Sequence, residues 1–205
     1  MTLIRKRHPL NRVYDRKIAN PESCSSKRKA KNMATQHGGA IVDLGNVIIA
    51  HWLSNITPEN FDTIDYNSIP EVPGVFDSLR RFYDQFGGNV TVVYKATDIA
   101  TEKILGWLRH HNFSERTGIS FDRVHRTSSG RDKTPFIEQS SQTHHGTTVM
   151  VDDRLEVLSY FVGKVPNLFL FRPQSQEVEQ FRNTGALSHV HVVTTWQEIE
   201  NILNP

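Results

Sequence analysis

The sequence predicts an α/β protein with an open, mainly parallel sheet of the Rossmann-like type. Two observations carry this prediction. From residue 40 onwards, short apolar or β-branched runs alternate with longer segments whose apolar residues recur every three to four positions. The longer segments can supply the crossover helices that parallel strands require. We therefore expect a three-layer α/β/α arrangement with helices on both faces of the sheet.

The predicted strands are β-branched or aromatic runs that stop at polar or turn-forming residues. They cover residues 41–42, 89–94, 121–126, 147–151, 167–171 and 189–193. The first strand is followed, after a turn, by a second apolar run at 47–49. Residues 51–72 contain two prolines and no helical period, so we expect a loop there with one helical turn.

The predicted helices rest on start and stop signals as well as on periodicity. Pro73 stands at the favoured first position of a helix that Gly87-Gly88 ends. Either Thr97 or Asp98 can cap the next helix, which ends near residue 110. Further helices are predicted at 134–142, 155–161 and 174–183, and from Thr194 or Thr195 towards the C-terminus.

Length and composition limit the class of protein. A chain of 205 residues with 37% hydrophobic residues can bury one sizeable core. No apolar run approaches the roughly 20 residues that a membrane span needs, so we expect no membrane association. The single cysteine, Cys24, excludes an internal disulfide and a zinc–thiolate site. It also fits a reducing, cytoplasmic location.

Positive charge is concentrated at the N-terminus. Residues 1–36 hold ten lysines and arginines against two acids, so they carry +8 in a chain of net charge +2. Few apolar side chains and high charge predict a disordered basic tail at 1–36, attached to an α/β domain at 37–205. Several roles are open for this tail. It is a solubilising segment, an upstream extension that a start at Met33 would omit, or an arm that binds nucleic acid or an acidic surface, with residues 27–31 as its densest patch. An organelle transit segment is disfavoured, because Pro9, Asp15 and Glu22 interrupt the amphipathic helix that it needs.

Charged side chains follow four of the predicted strands. In chain order they are Asp43, then Lys95, then Lys133 after a short turn, and then Asp152-Asp153. The carboxyl ends of parallel strands lie at one edge of a sheet, so these groups can converge. Clustered carboxylates repel each other unless a cation neutralises them, and such hard oxygen ligands suit Mg²⁺ together with phosphate oxygens. A carboxylate left free can attack phosphorus to form an aspartyl-phosphate.

A structural alternative exists for the last pair. Asp152 and Asp153 would also suit the N-terminal turn of the following helix, where acids are favoured without any catalytic role. Their position directly after an apolar strand, with Asp43 and Lys133 earlier in the chain, favours the functional interpretation.

The order VDLGN, YKAT, RDK and MVDDR resembles the four signature segments of the haloacid dehalogenase-like superfamily. The resemblance covers about residues 39–200. It implies that Asp43 is the nucleophile and that Lys133 balances charge on Asp43 and on the phosphoryl group. It also implies that Leu44, Gly45 and Asn46 bind the phosphoryl oxygens through backbone N–H groups. Two residues of the second motif, Lys95 as an additional cation and Thr97 as a replacement hydroxyl, are further candidates for phosphate binding. The Mg²⁺ ligands that it implies are Asp43, the Gly45 carbonyl, Asp153 directly, and Asp152 directly or through water.

The chain departs from the superfamily pattern at two positions. Phosphatases of the superfamily usually carry a second aspartate, the general acid and base, two residues after the nucleophile, where this chain has Gly45. Loss of such a proton donor costs about 10²–10⁴ in rate, and His51 is the nearest candidate to replace it. The second motif usually ends its strand in Ser or Thr, where this chain has Tyr94, with Thr97 three residues further on.

The spacing of the motifs leaves no room for a cap domain, because only about 20 residues separate the first motif from the first helix. By analogy with uncapped members, an open site suits a large, nucleotide or polymer substrate. We therefore expect a Mg²⁺-dependent phosphohydrolase that acts on a phosphorylated substrate through Asp43. Two alternatives stay open. One is a degenerate domain that binds phosphate or a partner with little turnover, and the other is a nucleic-acid-associated protein that binds through its tail.

Overall fold

The computed structural model describes residues 38–54, 56–57, 60–61, 63–143 and 146–204. The predicted basic tail lies outside this part of the chain. Within the described residues, one sheet of six strands carries helices on both faces, and every strand pair is parallel. The predicted α/β class with its parallel sheet is confirmed.

Strands and helices alternate along the chain. The strands are β1 (Gly39–Val42), β2 (Val90–Lys95), β3 (Val124–Thr127), β4 (Thr147–Asp152), β5 (Asn167–Phe171) and β6 (His191–Val193). The helices are α1 (Val75–Gln85), α2 (Asp98–His110), α3 (Phe113–Thr117), α4 (Thr134–Thr143), α5 (Leu155–Ser159), α6 (Ser175–Phe181) and α7 (Trp196–Leu203). None of these helices combines the length and apolar content that a bilayer crossing requires.

The strand order places β1 and β4 side by side at the centre of the sheet. The order is β3-β2-β1-β4-β5-β6, so the chain builds outwards from β1 to β3, crosses back to β4, and builds outwards on the other side. The direction of winding therefore reverses between β1 and β4. In open α/β sheets, ligands bind in the crevice at such a reversal, outside the carboxyl ends of the strands.

Alternating side chains of the strands form two apolar cores, one on each face of the sheet. All four residues of β1 are buried, as expected for a central parallel strand. Ala40 and Val42 belong to the core that α1, α2 and α7 cover, whereas Ile41 belongs to the core that α4 and α5 cover. Burial on both faces anchors the end of β1, and with it the residue that follows.

Trp196 of α7 holds the segment after Asp43 against the C-terminal helix. Its side chain is 1% exposed and packs against Phe82 and Phe171. The indole N–H donates a hydrogen bond to the Val47 carbonyl at 3.0 Å. A buried carbonyl that loses its donor is destabilising, so this bond helps to fix the path of the loop between β1 and α1.

The two edge strands begin later than the sequence predicted. β3 starts at Val124, and Phe121–Arg123 forms a 3₁₀ turn where a strand was predicted. β6 starts at His191, after a 3₁₀ turn at Ala186–His189. An edge strand pairs on one side only, so local turns compete more easily with extended backbone at its start. Helix α3, which was not predicted, is too short to show a period.

We expect Trp196→Ala to lower the free energy of unfolding by about 3–5 kcal/mol, because it leaves a cavity and an unpaired Val47 carbonyl. Denaturant unfolding measures this loss. Ile202→Ala on the same helix is the matched control, because Ile202 is 40% exposed and should change stability by about 0.5 kcal/mol or less. Equal losses for the two variants would contradict the anchoring role of Trp196.

Candidate active site

Two aspartates meet at the reversal point of the sheet. Asp43 follows β1 directly and Asp152 is the last residue of β4. Val42 lies opposite Val151 in the parallel register, and the Asp43 N–H donates to the Val151 carbonyl at 2.8 Å. The strand ladder therefore continues to Asp43, and two buried strands deliver both carboxylates to the same edge of the sheet.

A buried lysine bridges these two carboxylates. Lys133 ends a 3₁₀ turn after β3, and its side chain is 2% exposed. Its Nζ lies 2.6 Å from Asp43 Oδ1 and 2.6 Å from Asp152 Oδ2. Burial by itself lowers the pKa of Lys133, but the attraction of Asp152 and Asp43 outweighs burial and raises that pKa. The ammonium therefore remains charged.

Asp153 adds a third carboxylate to the cluster. Burial, followed by repulsion from Asp43 and Asp152, raises the pKa of Asp153. Burial also raises the pKa of Asp152, although Lys133 acts in the opposite direction. The cluster therefore contains three carboxylates but only one buried ammonium, which contacts Asp43 and Asp152, and it favours an additional cation.

Asp152 combines the two interpretations that the sequence left open. Its Oδ1 accepts a hydrogen bond from the Arg154 N–H at 3.0 Å, which supports the backbone just before α5. Its Oδ2 accepts from Lys133. Both oxygens are therefore engaged, and the side chain is almost completely buried. Asp153 is the more accessible of the pair.

Asn46 shapes the loop that follows Asp43. Its φ of 58° lies in the left-handed region, which Asn adopts more readily than most residues. The side-chain Nδ2 donates to Asp153 Oδ2 at 2.8 Å, whereas Oδ1 is buried without a hydrogen-bond partner among the described residues. The backbone N–H of Asn46 donates to the Ile49 carbonyl at 2.9 Å. That amide is already used, so only Leu44 and Gly45 remain of the three amides predicted to bind phosphate.

The second motif contributes Tyr94 and Lys95 to the cleft, but not Thr97. Thr97 caps α2, where its hydroxyl accepts a hydrogen bond from the Ala100 N–H at 3.3 Å. Thr97 is therefore the cap of α2 that the sequence offered, and its phosphate-binding role stays a prediction. The cleft wall at this strand is formed by the buried Tyr94 and the exposed Lys95.

His51 lies beside Gly45. A Cβ placed on Gly45 would be 3.5 Å from His51 Nδ1 and 3.9 Å from Asp43 Oδ2, both ordinary van der Waals contacts. On its other side, the imidazole Nε2 lies 2.7 Å from Tyr66 Oη. Burial lowers the pKa of His51 to about 4, so the ring is neutral at pH 7. Gly45 therefore leaves a space for a side chain between a carboxylate and a neutral histidine.

Two residues join the site although neither was predicted from the sequence to belong to it. Tyr66 comes from a 3₁₀ turn in the long loop before α1, and no motif spacing marks it. Arg154 lines the cleft and binds Glu177 at 3.1 Å and Glu156 at 3.2 Å. The place of Arg154 next to Asp153 in the fourth motif is the signal that could have identified it.

These side chains line one cleft of about 520 Å³. The lining includes Asp43, Leu44, Gly45, Asn46, His51, Tyr94, Lys95, Lys133, Asp152, Asp153 and Arg154. All of the site residues predicted from the sequence, except Thr97, are therefore brought together in it.

The oxygen donors in this cleft suit a hard divalent cation. Mg²⁺ is commonly held by one or two carboxylates, while waters and phosphate oxygens complete its coordination. Asp43 and Asp153 each accept one hydrogen bond from a side chain within the described residues, which leaves lone pairs on both carboxylates for a cation. In this part of the chain, no three Asp, Glu, His or Cys side chains converge as a complete metal site. A cation would therefore depend on two carboxylates, a backbone carbonyl and solvent.

Comparison with known sequences gives one partial likeness. No family model matches this chain. A cysteine–tRNA ligase from Petrotoga mobilis is 30% identical over 122 residues, which correspond to 56% of this chain and 24% of the ligase. The chain thus spans about a quarter of the length of the curated relative that it matches.

Comparison with solved structures gives a likeness that extends over most of the chain. A crystal structure described as a haloacid dehalogenase-like hydrolase, from Burkholderia xenovorans LB400, is similar with a TM-score of 0.51. The similarity covers 82% of this chain and 96% of that chain at 13% sequence identity, and at this identity it concerns the fold. This chain therefore has the haloacid dehalogenase-like α/β fold that its four motifs predicted.

Proposed function

We propose that this protein is a Mg²⁺-dependent phosphohydrolase that acts through an aspartyl-phosphate on Asp43. The observation that carries the proposal is the arrangement of Lys133 between Asp43 and Asp152 at the reversal point of the sheet. A buried charge cluster of this kind is costly to fold, and a site of catalysis is a reason to retain it.

Asp43 is the carboxylate best placed to attack phosphorus. Its side chain is 15% exposed, whereas that of Asp152 is 2% exposed. Lys133 holds Oδ1, so Oδ2 faces the cleft. In the first step, Oδ2 bonds to phosphorus while the bond from phosphorus to the leaving oxygen breaks. Lys133 offsets the negative charge of the phosphoryl group beside Asp43, and water then hydrolyses the aspartyl-phosphate.

Asp43 and Asp153, with the Gly45 carbonyl, are the residues that would hold Mg²⁺. Asp152 is less suited to direct coordination, because both of its oxygens accept hydrogen bonds from Lys133 and Arg154. Asn46 holds Asp153 in place through its amide. A bound Mg²⁺ would supply charge stabilisation to the phosphoryl oxygens and would neutralise the excess carboxylate charge.

The shape of the cleft supports a substrate larger than a phosphate ion. Its volume of about 520 Å³ exceeds the space that a phosphoryl group fills, and its lining includes the exposed cations Lys95 and Arg154. These cations favour an anionic substrate such as a nucleotide or a phosphorylated polymer. The rival within the same fold is a domain that binds phosphate with little turnover, for which Gly45 in place of an acid is the argument.

We expect Asp43→Asn to abolish Mg²⁺-dependent hydrolysis of p-nitrophenyl phosphate, because the amide cannot form the covalent intermediate. Steady-state release of nitrophenolate measures this effect. Asp77→Asn is the matched control, because Asp77 is an exposed aspartate on α1. Turnover by the wild type that survives Asp43→Asn would contradict the proposal. Tight binding of vanadate without any turnover would favour the rival.

We expect MgCl₂ to raise the melting temperature of the wild type above that seen in NaCl of equal ionic strength. A ligand that binds only the folded state at a hundredfold excess over its Kd stabilises that state by about 2.7 kcal/mol. Asp153→Asn should remove this effect, and Asp77→Asn should retain it. An unchanged response of the Asp153 variant would show that Mg²⁺ binds elsewhere.

Nucleic-acid binding is a second candidate function. Ten lysines and arginines in residues 1–36 support it, and the partial likeness to a tRNA ligase adds a relative whose name includes an RNA substrate. In this function the basic tail would contact the phosphates of the nucleic acid, and the α/β domain would serve as the scaffold to which the tail is attached.

We expect replacement of Lys27, Arg28, Lys29 and Lys31 by Gln to weaken binding of single-stranded RNA and to flatten its salt dependence. Each phosphate contact that is lost should reduce the slope of log K against log salt by about 0.7. Fluorescence anisotropy over a range of NaCl measures both quantities. Affinity and slope equal to those of the wild type would exclude a binding role for these four residues.

A further inference from the structure

The proposed reaction needs a proton acceptor that neither Asp43 nor Lys133 can provide. When water attacks the aspartyl-phosphate, the water oxygen bonds to phosphorus, the bond from phosphorus to Asp43 Oδ2 breaks, and the water must lose a proton. Asp43 leaves as a carboxylate, and Lys133 is held in its charged form between two carboxylates. Gly45 has no side chain. If a side chain accepts this proton, it therefore belongs to another residue of the cleft.

His51 borders the same space over Gly45 as Asp43 Oδ2, the oxygen at which this step occurs. Its Nδ1 and Asp43 Oδ2 face the same space over Gly45, at 3.5 Å and 3.9 Å from the position that a Cβ would occupy. No hydrogen bond to a described residue engages Nδ1, whereas Nε2 is engaged by Tyr66. A water in this space could contact both the phosphorus on Asp43 and the imidazole.

We infer that His51 is the general base of this step and that its Nδ1 accepts the proton of the attacking water. The water would lie in the space that a side chain at residue 45 would otherwise fill. This inference rests on the proposed phosphohydrolase function. In this step the water oxygen becomes part of inorganic phosphate, and Asp43 recovers its carboxylate. The proton of the water binds to His51, which then releases that proton to solvent.

Tyr66 is the positioning residue for this histidine. For Nδ1 to accept a proton, Nε2 must carry the ring hydrogen and donate it to Tyr66 Oη, and the 2.7 Å distance permits this. Burial, followed by the charge effect of Tyr94, raises the pKa of Tyr66, so its hydroxyl stays neutral.

Other polar groups of the cleft are less suited to this role. Asp153 accepts a hydrogen bond from Asn46 and is the proposed metal ligand. Glu156 is paired with Arg154, and Lys95 and Arg154 are cations that cannot accept a proton at neutral pH. Among the described residues that line the cleft, His51 is thus the imidazole base, and its Nδ1 is not engaged by a hydrogen bond.

The test is His51→Gln in the full-length protein, with p-nitrophenyl phosphate and MgCl₂ in rapid-quench kinetics. Nitrophenolate leaves without protonation, so formation of the aspartyl-phosphate should stay fast. We expect a burst equal to the enzyme concentration, followed by steady-state turnover about 10²-fold or more below that of the wild type. Acid quenching should trap the phosphoenzyme. Unchanged turnover would overturn the inference, and so would loss of the burst together with turnover.

A second pair of variants tests whether a carboxylate at residue 45 can accept the proton of the same water as His51. Gly45→Asp in the His51→Gln background should restore turnover at least tenfold, because a Cβ at residue 45 meets only ordinary contacts and would carry a carboxylate into the same space. Gly45→Ala in that background adds the Cβ without a base and should restore nothing. Equal rates for these two double variants would overturn the inference.

Asp43→Asn separates failure of the inference from failure of the proposed function. An inactive Asp43 variant beside a fully active His51→Gln enzyme would leave the phosphohydrolase function standing and reject only the role of His51. Turnover that does not depend on Asp43 would reject both.

Discussion

The contact of the Lys133 ammonium with Asp43 and Asp152 is the interaction on which the site depends. A lysine buried to 2% exposure is stable only because two carboxylates lie 2.6 Å from its nitrogen. Those carboxylates come from the ends of two adjacent strands, and the lysine comes from a turn after a third. The charge cluster therefore joins three parts of the sheet, and its excess negative charge prepares the cleft for a cation.

Two residues of the loop after β1, Asn46 and Gly45, contribute to the site in opposite ways. Asn46 adopts a left-handed conformation and uses its side chain to hold Asp153, a role that glycine could not fill. Gly45 does the opposite, since it leaves space that His51 borders. The departure from the phosphatase pattern at residue 45 is therefore paired with a neutral histidine from the following turn, which is the proton acceptor in the reaction that we propose.

The parts of the fold that could be predicted are those with strong local signals. The central strands, the glycine stop after α1 and the Thr195 cap of α7 follow from burial pattern and capping chemistry. The edge strands β3 and β6 were predicted too long, because propensity does not reveal that a strand has a partner on one side only. Thr97 caps α2 and does not line the cleft, and the sequence could not decide between these places because capping and ligand binding require the same hydroxyl.

The sequence by itself determined the fold class and the catalytic candidates. The alternating pattern and the four strand-end motifs bring Asp43, Lys133 and Asp152-Asp153 to one edge of a parallel sheet, because the carboxyl ends of its strands share that edge. Only the tertiary structure decided the choices within the site. It shows that Asp152 is engaged by Lys133 and Arg154, and that His51 and Tyr66 lie together beside Gly45. The reason is physical: these contacts arise from loop paths and hydrogen-bond partners that no local periodicity encodes.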